Sequence, residues 1–341
     1  CLSNDDFHNN IQRHVADQAV GLLIAGRPDP SGTAISGVSV DGFLDGTHDV
    51  TNENYSLAPT GIRFSHDRKG VVPTIIEQYY AERRIIKDEM LKAQQEMQTN
   101  PSKQLEYRIT SLNNNQMAIK PLMNSLYGAL GNKYFRYFDQ RVAESITLAG
   151  QLAIKWAERT VNHEMQEILK TDEDYVVAND TDSVYIRMGD LVDRFNPVNP
   201  VKFLDKICSS HFEKKLDKSY AKMAEVTGAY VNRMEMGREV IADRGIWMAK
   251  KRYILNVHNN EGVQYTEPKL KMMGIEAIKS STPAVVRDKM KEIFRVIIEG
   301  TESDTQSFIS KFKTQFKTLP PEDVSFPRGV SDLAKWSDRN T

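Results

Sequence analysis

The sequence predicts an α+β protein made of a helical hairpin, a further long helix and a small antiparallel sheet. Three observations carry that expectation. Two strongly helical runs stand a short turn apart, Pro73 to about Gln98 and about Lys103 to Leu130. Two β-rich runs, Tyr175–Ala178 and Ser183–Ile186, flank Asn179-Asp180-Thr181-Asp182. Strand-like stretches near Asn232–Ile241, Trp247–His258 and Val263–Met272 then lead into helices over about Pro283–Ile298 and Thr305–Phe316.

Taken in order, residues 1–72 are irregular, with Gly26–Pro30 and Ser31–Asn52 rich in Gly, Ser, Thr and Asp. Within them Ile35–Val40 alternates and reads as a small strand or loop edge. Pro73 suits a first helical position. Thr99-Asn100-Pro101-Ser102 supplies a turn, so the two helical runs form an antiparallel hairpin. A further helix is expected over about Arg141–Leu169, and Tyr175–Ile186 reads as a β-hairpin with an acidic tip. One helix is expected over about Val201–Val226. The last two strands join across Asn259-Asn260-Glu261-Gly262. No internal repeat or low-complexity tract is present.

With 341 residues, 40 % apolar and 27 % charged, the chain has the composition of a globular protein of roughly two domains. No apolar run reaches the ~18 residues of a membrane span, and Val20–Ala25 lacks a basic leader and a cleavage signature. Cys1 and Cys208 make neither a disulfide framework nor a metal-ligand spacing, so a reducing, cytoplasmic compartment is expected. The net charge of −1 means that any polyanion site must be a local patch. The first residue is Cys1 and the last residues, Ser337–Thr341, carry no helix-closing signal. A partial sequence is the expectation, with a processed piece of a split protein as the alternative.

Three groups of residues suggest chemistry. In extended backbone Asp180 and Asp182 project to one face, and two close carboxylates call for a compensating cation. Mg²⁺ takes one or two carboxylates and completes its shell with substrate phosphates. A solvated turn accounts for the same residues. On the helical hairpin, Arg83 and Lys87 share a face, as do Lys120, Asn124 and Tyr127. Cations facing one cleft suit a polyanion such as a transferred phosphoryl group, and they also suit a solvated helix face. Gly128 costs the helix about 1 kcal/mol against Ala, which makes sense where something approaches the backbone. Finally, Lys250-Lys251-Arg252-Tyr253 lies on an expected strand, with Lys269 and Lys271 on its partner. That patch suits a duplex backbone, or simply blunts an edge strand.

These motifs together resemble the family B DNA polymerases. Lys120-Pro121-Leu122-Met123-Asn124-Ser125-Leu126-Tyr127-Gly128 is similar to the family's Kx₃NSxYG fingers motif. Asp180-Thr181-Asp182-Ser183 is similar to the palm DTDS motif, and Lys250–Tyr253 to the KKRY motif, in the same order. Asn124 to Asn132, Tyr134-Phe135-Arg136-Tyr137 and Glu267 to Gly274 most resemble the replicative enzymes of T-even-type bacteriophages. The resemblance spans about Gly70–Leu333.

The resemblance implies a palm over 1–69 and 133–274 with a small antiparallel sheet, helical-hairpin fingers over 70–132, and the start of a helical thumb over 275–341. It implies transfer of deoxynucleotides from dNTPs to a primer 3′-hydroxyl on two Mg²⁺ ions. Asp182 would bind metal, with Asp180 beside it and Glu239 as an additional palm carboxylate. Arg83, Lys87 and Lys120 would grip the triphosphate, Lys120 sharing the catalytic centre with the two aspartates. Asn124 would touch the triphosphate, Tyr127 the nascent base pair, and Gly128 the DNA. Lys250, Lys251, Arg252 and Tyr253 would hold the primer–template duplex. An upstream polymerase chain and a sliding clamp are the further partners implied, with no membrane.

The chain also departs from the family. The first palm motif, DxxSLYPS, with its metal-bridging aspartate, and the exonuclease domain are absent from these residues, and the thumb looks incomplete. Asp5, Asp6, Asp17 and Asp41 are where a substitute acid would be sought. Pro121 follows the fingers lysine, leaving the direction of Lys120 open, and Gly237 stands where the phage enzymes carry an acid. Two other readings stay open. One is a catalytically silent DNA- or nucleotide-binding fragment completed by a second chain. The other, some other palm-fold nucleotidyl transferase, leaves Arg83, Lys87 and Tyr127-Gly128 unexplained.

Overall fold

The computed structural model describes residues 35–67, 69–329 and 331–332. Expectations for residues 1–34, among them Cys1, Asp5, Asp6, Asp17 and Val20–Ala25, lie outside the described residues, as does Leu333 at the far end. The fold is α+β. Contacts divide it into two compact units: one runs to Glu239 and takes back Glu261–Val263, and the other comprises Val240–Asn260 and the chain from Gln264 onward.

The first unit opens with a short helix, α1 (Val40–Leu44), and a two-stranded sheet of β1 (Tyr55–Leu57) and β2 (Arg63–Ser65). Of the two readings of Ile35–Val40, a small strand or a loop edge, the loop forms. The Ser39 hydroxyl accepts the Gly42 N–H at 3.0 Å, and this cap starts α1 at Val40. Next come the antiparallel helices α2 (Val71–Thr99) and α3 (Lys103–Leu130), as expected. Ser102 caps α3 by accepting the Leu105 N–H at 3.2 Å, and Pro121 lies inside that helix without ending it.

Helix α4 (Gln140–Leu169) organises the core of this unit. Its buried side chains Val142, Ser145, Leu152, Ala153, Ala157, Val161 and Met165 recur at helical spacing, so one stripe faces inward. Asp139 caps it by accepting the Arg141 N–H at 2.9 Å, and Lys170 ends it in the left-handed conformation (φ 58°). Against the stripe pack Phe43, Tyr175, Leu191, Phe212, Leu216 and Tyr220. Each such side chain contributes roughly 1.5–3 kcal/mol by leaving water. The β-hairpin of β3 (Val176–Asp180) and β4 (Ser183–Ile186) and the helix α5 (Gly189–Phe195) follow.

The single helix expected over about Val201–Val226 forms, running on through one π-helical turn. Helix α6 (Pro200–Ile207) and helix α7 (Glu213–Val226) are joined by one wide turn, Cys208–Phe212. Burial there pushes the Cys208 thiol up to about 11.

In the second unit, β5 (Val240–Ala249), β6 (Arg252–Asn260) and β7 (Val263–Met273) form an antiparallel sheet in that order. Two boundaries differ from expectation. No strand covers Asn232–Glu239, whose side chains enter ion pairs instead: Arg233 with Glu77, Glu235 with Arg84 and Arg238 with Asp205. The stretch Trp247–His258 is not one strand, because the chain reverses at Lys250-Lys251, with Lys251 at φ 61° and Ala249 paired to Arg252. No Gly, Asn or Pro marks that turn. The core of this unit joins Ile254 to Ile275, Ala277, Phe294 and Ile298, the last two on α8 (Ala284–Glu299). Helix α9 (Glu302–Phe316) begins three residues before expectation, at a capping box of Thr301 and Asp304. Helix α10 (Pro321–Val324) follows. Among the described residues no helix is long and apolar enough to cross a membrane.

Candidate functional site

The acidic tip is tighter than the sequence suggests. Strand β3 continues through Asp180, which pairs with Ser183, so only Thr181 and Asp182 form the turn. The strand alternation expected to carry both carboxylates to one face therefore stops at Asp180. A tight turn, not a pleat, separates the two aspartates. The Asp182 N–H donates to the Asp180 carbonyl at 2.6 Å, and the Ser183 hydroxyl reaches the same carbonyl at 3.1 Å. Thr181 holds φ 59°, an outlier for a β-branched residue, and donates its hydroxyl to Asp180 Oδ1 at 3.0 Å. Asp180 is half-buried and Asp182 exposed. The hairpin is tied to α4 where the Asn179 amide donates to Glu158 Oε2 at 2.6 Å.

These two carboxylates suit a hard divalent cation that takes its remaining oxygens from phosphates. Among the described residues no group of three His, Cys, Asp or Glu is arranged to hold a metal ion. Asp41, considered as a substitute acid, pairs with Lys155 at 3.2 Å. Glu239 lies just outside the strands, and its carbonyl accepts the Glu261 N–H.

On the helical hairpin, Lys120, Asn124 and Tyr127 are all exposed along one face of α3. The Tyr127 hydroxyl lies 2.7 Å from Thr147 Oγ1 of α4. That contact is fixed by the short link between the helices: the Asp139 N–H donates to the Leu130 carbonyl at 3.2 Å, and Leu130 packs on Val142 and Val72. Burial works against the Asp139 charge, but the Arg141 guanidinium and two backbone N–H groups hold its carboxyl below the usual range. Tyr127 and Gly128 line an open groove of about 700 Å³ with Gly131, Lys133, Tyr134 and Phe138. A Cβ on Gly128 would meet nothing within 4 Å.

On α2, Arg83 is half-buried, with its Nε buried and without a hydrogen-bond partner. Lys87 is instead engaged in an ion pair with Glu261. Neighbouring Arg84 makes a bidentate pair with Glu235 at 3.0 and 3.1 Å. Sequence reasoning missed Thr147, Glu235 and Glu261. Their partners lie 20, 151 and 174 residues away, and no local pattern announces such pairs.

The basic run of the second unit is divided in two. Lys250 and Lys251 are the exposed tip of the β5–β6 hairpin, a correction to the strand expected for them. Gly274 (φ 64°) closes on that tip so tightly that a Cβ would lie 2.1 Å from the Lys251 carbonyl oxygen. Arg252 pairs with Glu276 at 2.6 Å, and Tyr253 is only 6 % exposed, its ring 6.3 Å from that of Trp247. The strand order places β6 in the centre of its sheet, so only Lys269 and Lys271 on β7 stand on an edge strand.

The sequence matches the model of DNA polymerase family B over residues 36–326. It is 33 % identical to the DNA-directed DNA polymerase of Escherichia phage RB69, over 86 % of this chain and 39 % of that protein. It is 30 % identical to the DNA-directed DNA polymerase of Enterobacteria phage T4, over 87 % of this chain and 39 % of that one. The DNA polymerase delta catalytic subunit of Candida albicans is 25 % identical over 73 % of this chain. The chain thus spans about two fifths of the length of the phage relatives it matches.

Proposed function

The chain belongs to DNA polymerase family B, and from that premise we propose that it is the palm–fingers core of a template-directed DNA polymerase with the start of the thumb. The single observation that carries this reading is the family match over residues 36–326, which encloses every candidate side chain from Arg83 to Tyr253. Helices α2 and α3 are then the fingers, and the Asp180–Asp182 hairpin is the palm centre. The substrates are a dNTP and a primer–template duplex.

Each residue's proposed role rests on the motif it matches, read together with its setting. Asp182 and Asp180 present hard oxygen ligands on a rigid turn, and Glu239 stands as a further palm carboxylate. Bound Mg²⁺ would supply charge neutralisation for attack of a primer 3′-hydroxyl on the α-phosphorus of the dNTP. Arg83, Lys87 and Lys120 draw the triphosphate to the fingers and balance its charge, and Asn124 adds an amide contact. Tyr127, fixed through Thr147, and Gly128 form a surface for the nascent base pair. The exposed Lys250 and Lys251 suit duplex phosphates. Arg252 and the buried Tyr253 support that tip by their packing. In the phage relatives this region is part of a much longer protein, so an upstream polymerase segment and a sliding clamp are the expected partners.

The test separates the two substrates. Asp182→Ala abolishes Mg²⁺-stimulated dNTP binding by the chain, and Asp180→Ala reduces it less. Lys120→Ala weakens dNTP binding while the primer–template Kd stays nearly constant, and Lys251→Ala does the reverse. Undiminished Mg²⁺-stimulated binding in Asp182→Ala removes the site assignment. Equal losses on both substrates in Lys120→Ala leave only a general DNA-binding face.

A further inference from the structure

We propose that Glu261 is a positioning residue which keeps Lys87 paired between binding events, and that a triphosphate gains the lysine by displacing this carboxylate. The inference rests on the triphosphate role given to Lys87 above.

Three ion pairs join one side of α2 to other parts of the first unit: Glu77 with Arg233, Arg84 with Glu235, and Lys87 with Glu261. They differ in solvent access. The side chains of Arg84 and Glu235 are 56 % and 55 % exposed, and those of Arg233 and Glu77 44 % and 46 %. Lys87 and Glu261 are only 29 % and 23 % exposed, so theirs is the pair least screened by water and salt. A half-buried ammonium left without any anion pays a desolvation cost. Exchange of one anion for another avoids that cost, which makes Glu261 a placeholder for phosphate oxygens.

The backbone at Glu261 points the same way. Glu261 and Gly262 form the two-residue turn between β6 and β7, at φ 50° and φ 89°. Both positions of such a turn favour Gly, Asn or Asp. A glutamate here carries a conformational cost, which its ion pair to Lys87 offsets. The Glu261 N–H is also held by the carbonyl of Glu239, the proposed palm carboxylate. One turn residue thus connects a fingers cation to the backbone of the palm acid, and loss of the ion pair on triphosphate entry is felt at both.

The test is titration of the 341-residue chain with dATP in Mg²⁺ buffer at fixed ionic strength. Glu261→Gln is expected to tighten dATP binding by about threefold to fivefold, the scale of one partly exposed ion pair. Glu235→Gln, an equal change of charge beside Arg84, is expected to leave the Kd within error. Lys87→Ala weakens binding, and Lys87→Ala/Glu261→Gln matches Lys87→Ala alone, because no competitor matters once the lysine is gone. Weaker binding in Lys87→Ala with no change in Glu261→Gln overturns the proposal and leaves the triphosphate role of Lys87 standing. Equal tightening in Glu261→Gln and Glu235→Gln overturns it too, as a general charge effect. Unchanged binding in Lys87→Ala, or no dATP binding by any variant, overturns both.

Discussion

Gly128 occupies a helical position that almost any other residue would favour. Glycine costs a helix interior about 1 kcal/mol relative to alanine, and the space beside its Cα is empty to 4 Å. Packing within the chain therefore does not require it. Gly128→Ala should raise the stability of the chain by about 0.5–1 kcal/mol in thermal melting. The same change should weaken primer–template binding severalfold, because the added methyl stands in the groove beside Tyr127. A lower melting temperature would contradict the open space, and an unchanged DNA Kd would remove the close approach. At this scale the candidate motifs Asp180-Thr181-Asp182 and Lys120 to Gly128 could be read because each is a short contiguous run. It was silent on Thr147, Glu235 and Glu261, whose roles come from partners that only the folded chain brings near.

Among the elements, the long helices were legible because α4 repeats its apolar side chains at helical spacing and α3 begins at a serine cap. Reversals without turn residues were not legible: Lys250-Lys251 bends the chain with side chains that ordinarily read as strand or helix surface. The wide turn at Cys208–Phe212 was equally hidden, since an extra residue in a helix leaves no mark in composition. That turn brings His211 within 3.0 Å of Glu164 on α4, while Lys215 of α7 reaches the same carboxylate at 2.8 Å. Burial opposes the Glu164 charge, yet the two hydrogen bonds and nearby cations hold its carboxyl below the ordinary value of 4.5. A carboxyl depressed in the folded state stabilises at pH above its unfolded value, and that stability is lost as pH falls through the folded one. The gap in melting temperature between the native chain and Glu164→Gln should therefore be widest near pH 7 and narrow below about pH 4.5. A gap that stays constant down to pH 3.5 or so would show that the charge contributes nothing to folding.

Across the whole molecule, two cores divide the work of stability. The first gathers on α4, and the second joins Ile254 of the sheet to Phe294 and Ile298 of α8. Phe294→Ala should cost the second unit about 3–5 kcal/mol, as for a large buried aromatic. Hydrogen exchange should then show protection lost in β5, β6 and α8 and retained in α4 and α7. Uniform loss across both units would mean that they unfold together. The α+β class followed from the order of elements. The division between units was not visible in composition, because no Pro- or Ser-rich linker marks the step from Glu239 to Val240. Net charge was similarly uninformative, since 45 basic and 46 acidic residues nearly cancel whatever their placement.

Thr181, Lys251 and Glu261, at three hairpin tips, hold φ of 59°, 61° and 50° without being glycine. Each costs roughly 1–3 kcal/mol of backbone strain, and each stands at or beside a residue with a proposed task. Selection for robustness alone would drift all three toward glycine or asparagine. An engineer optimising heat tolerance would meet the same temptation, and accepting it would relieve strain at the very tips where the proposed tasks lie.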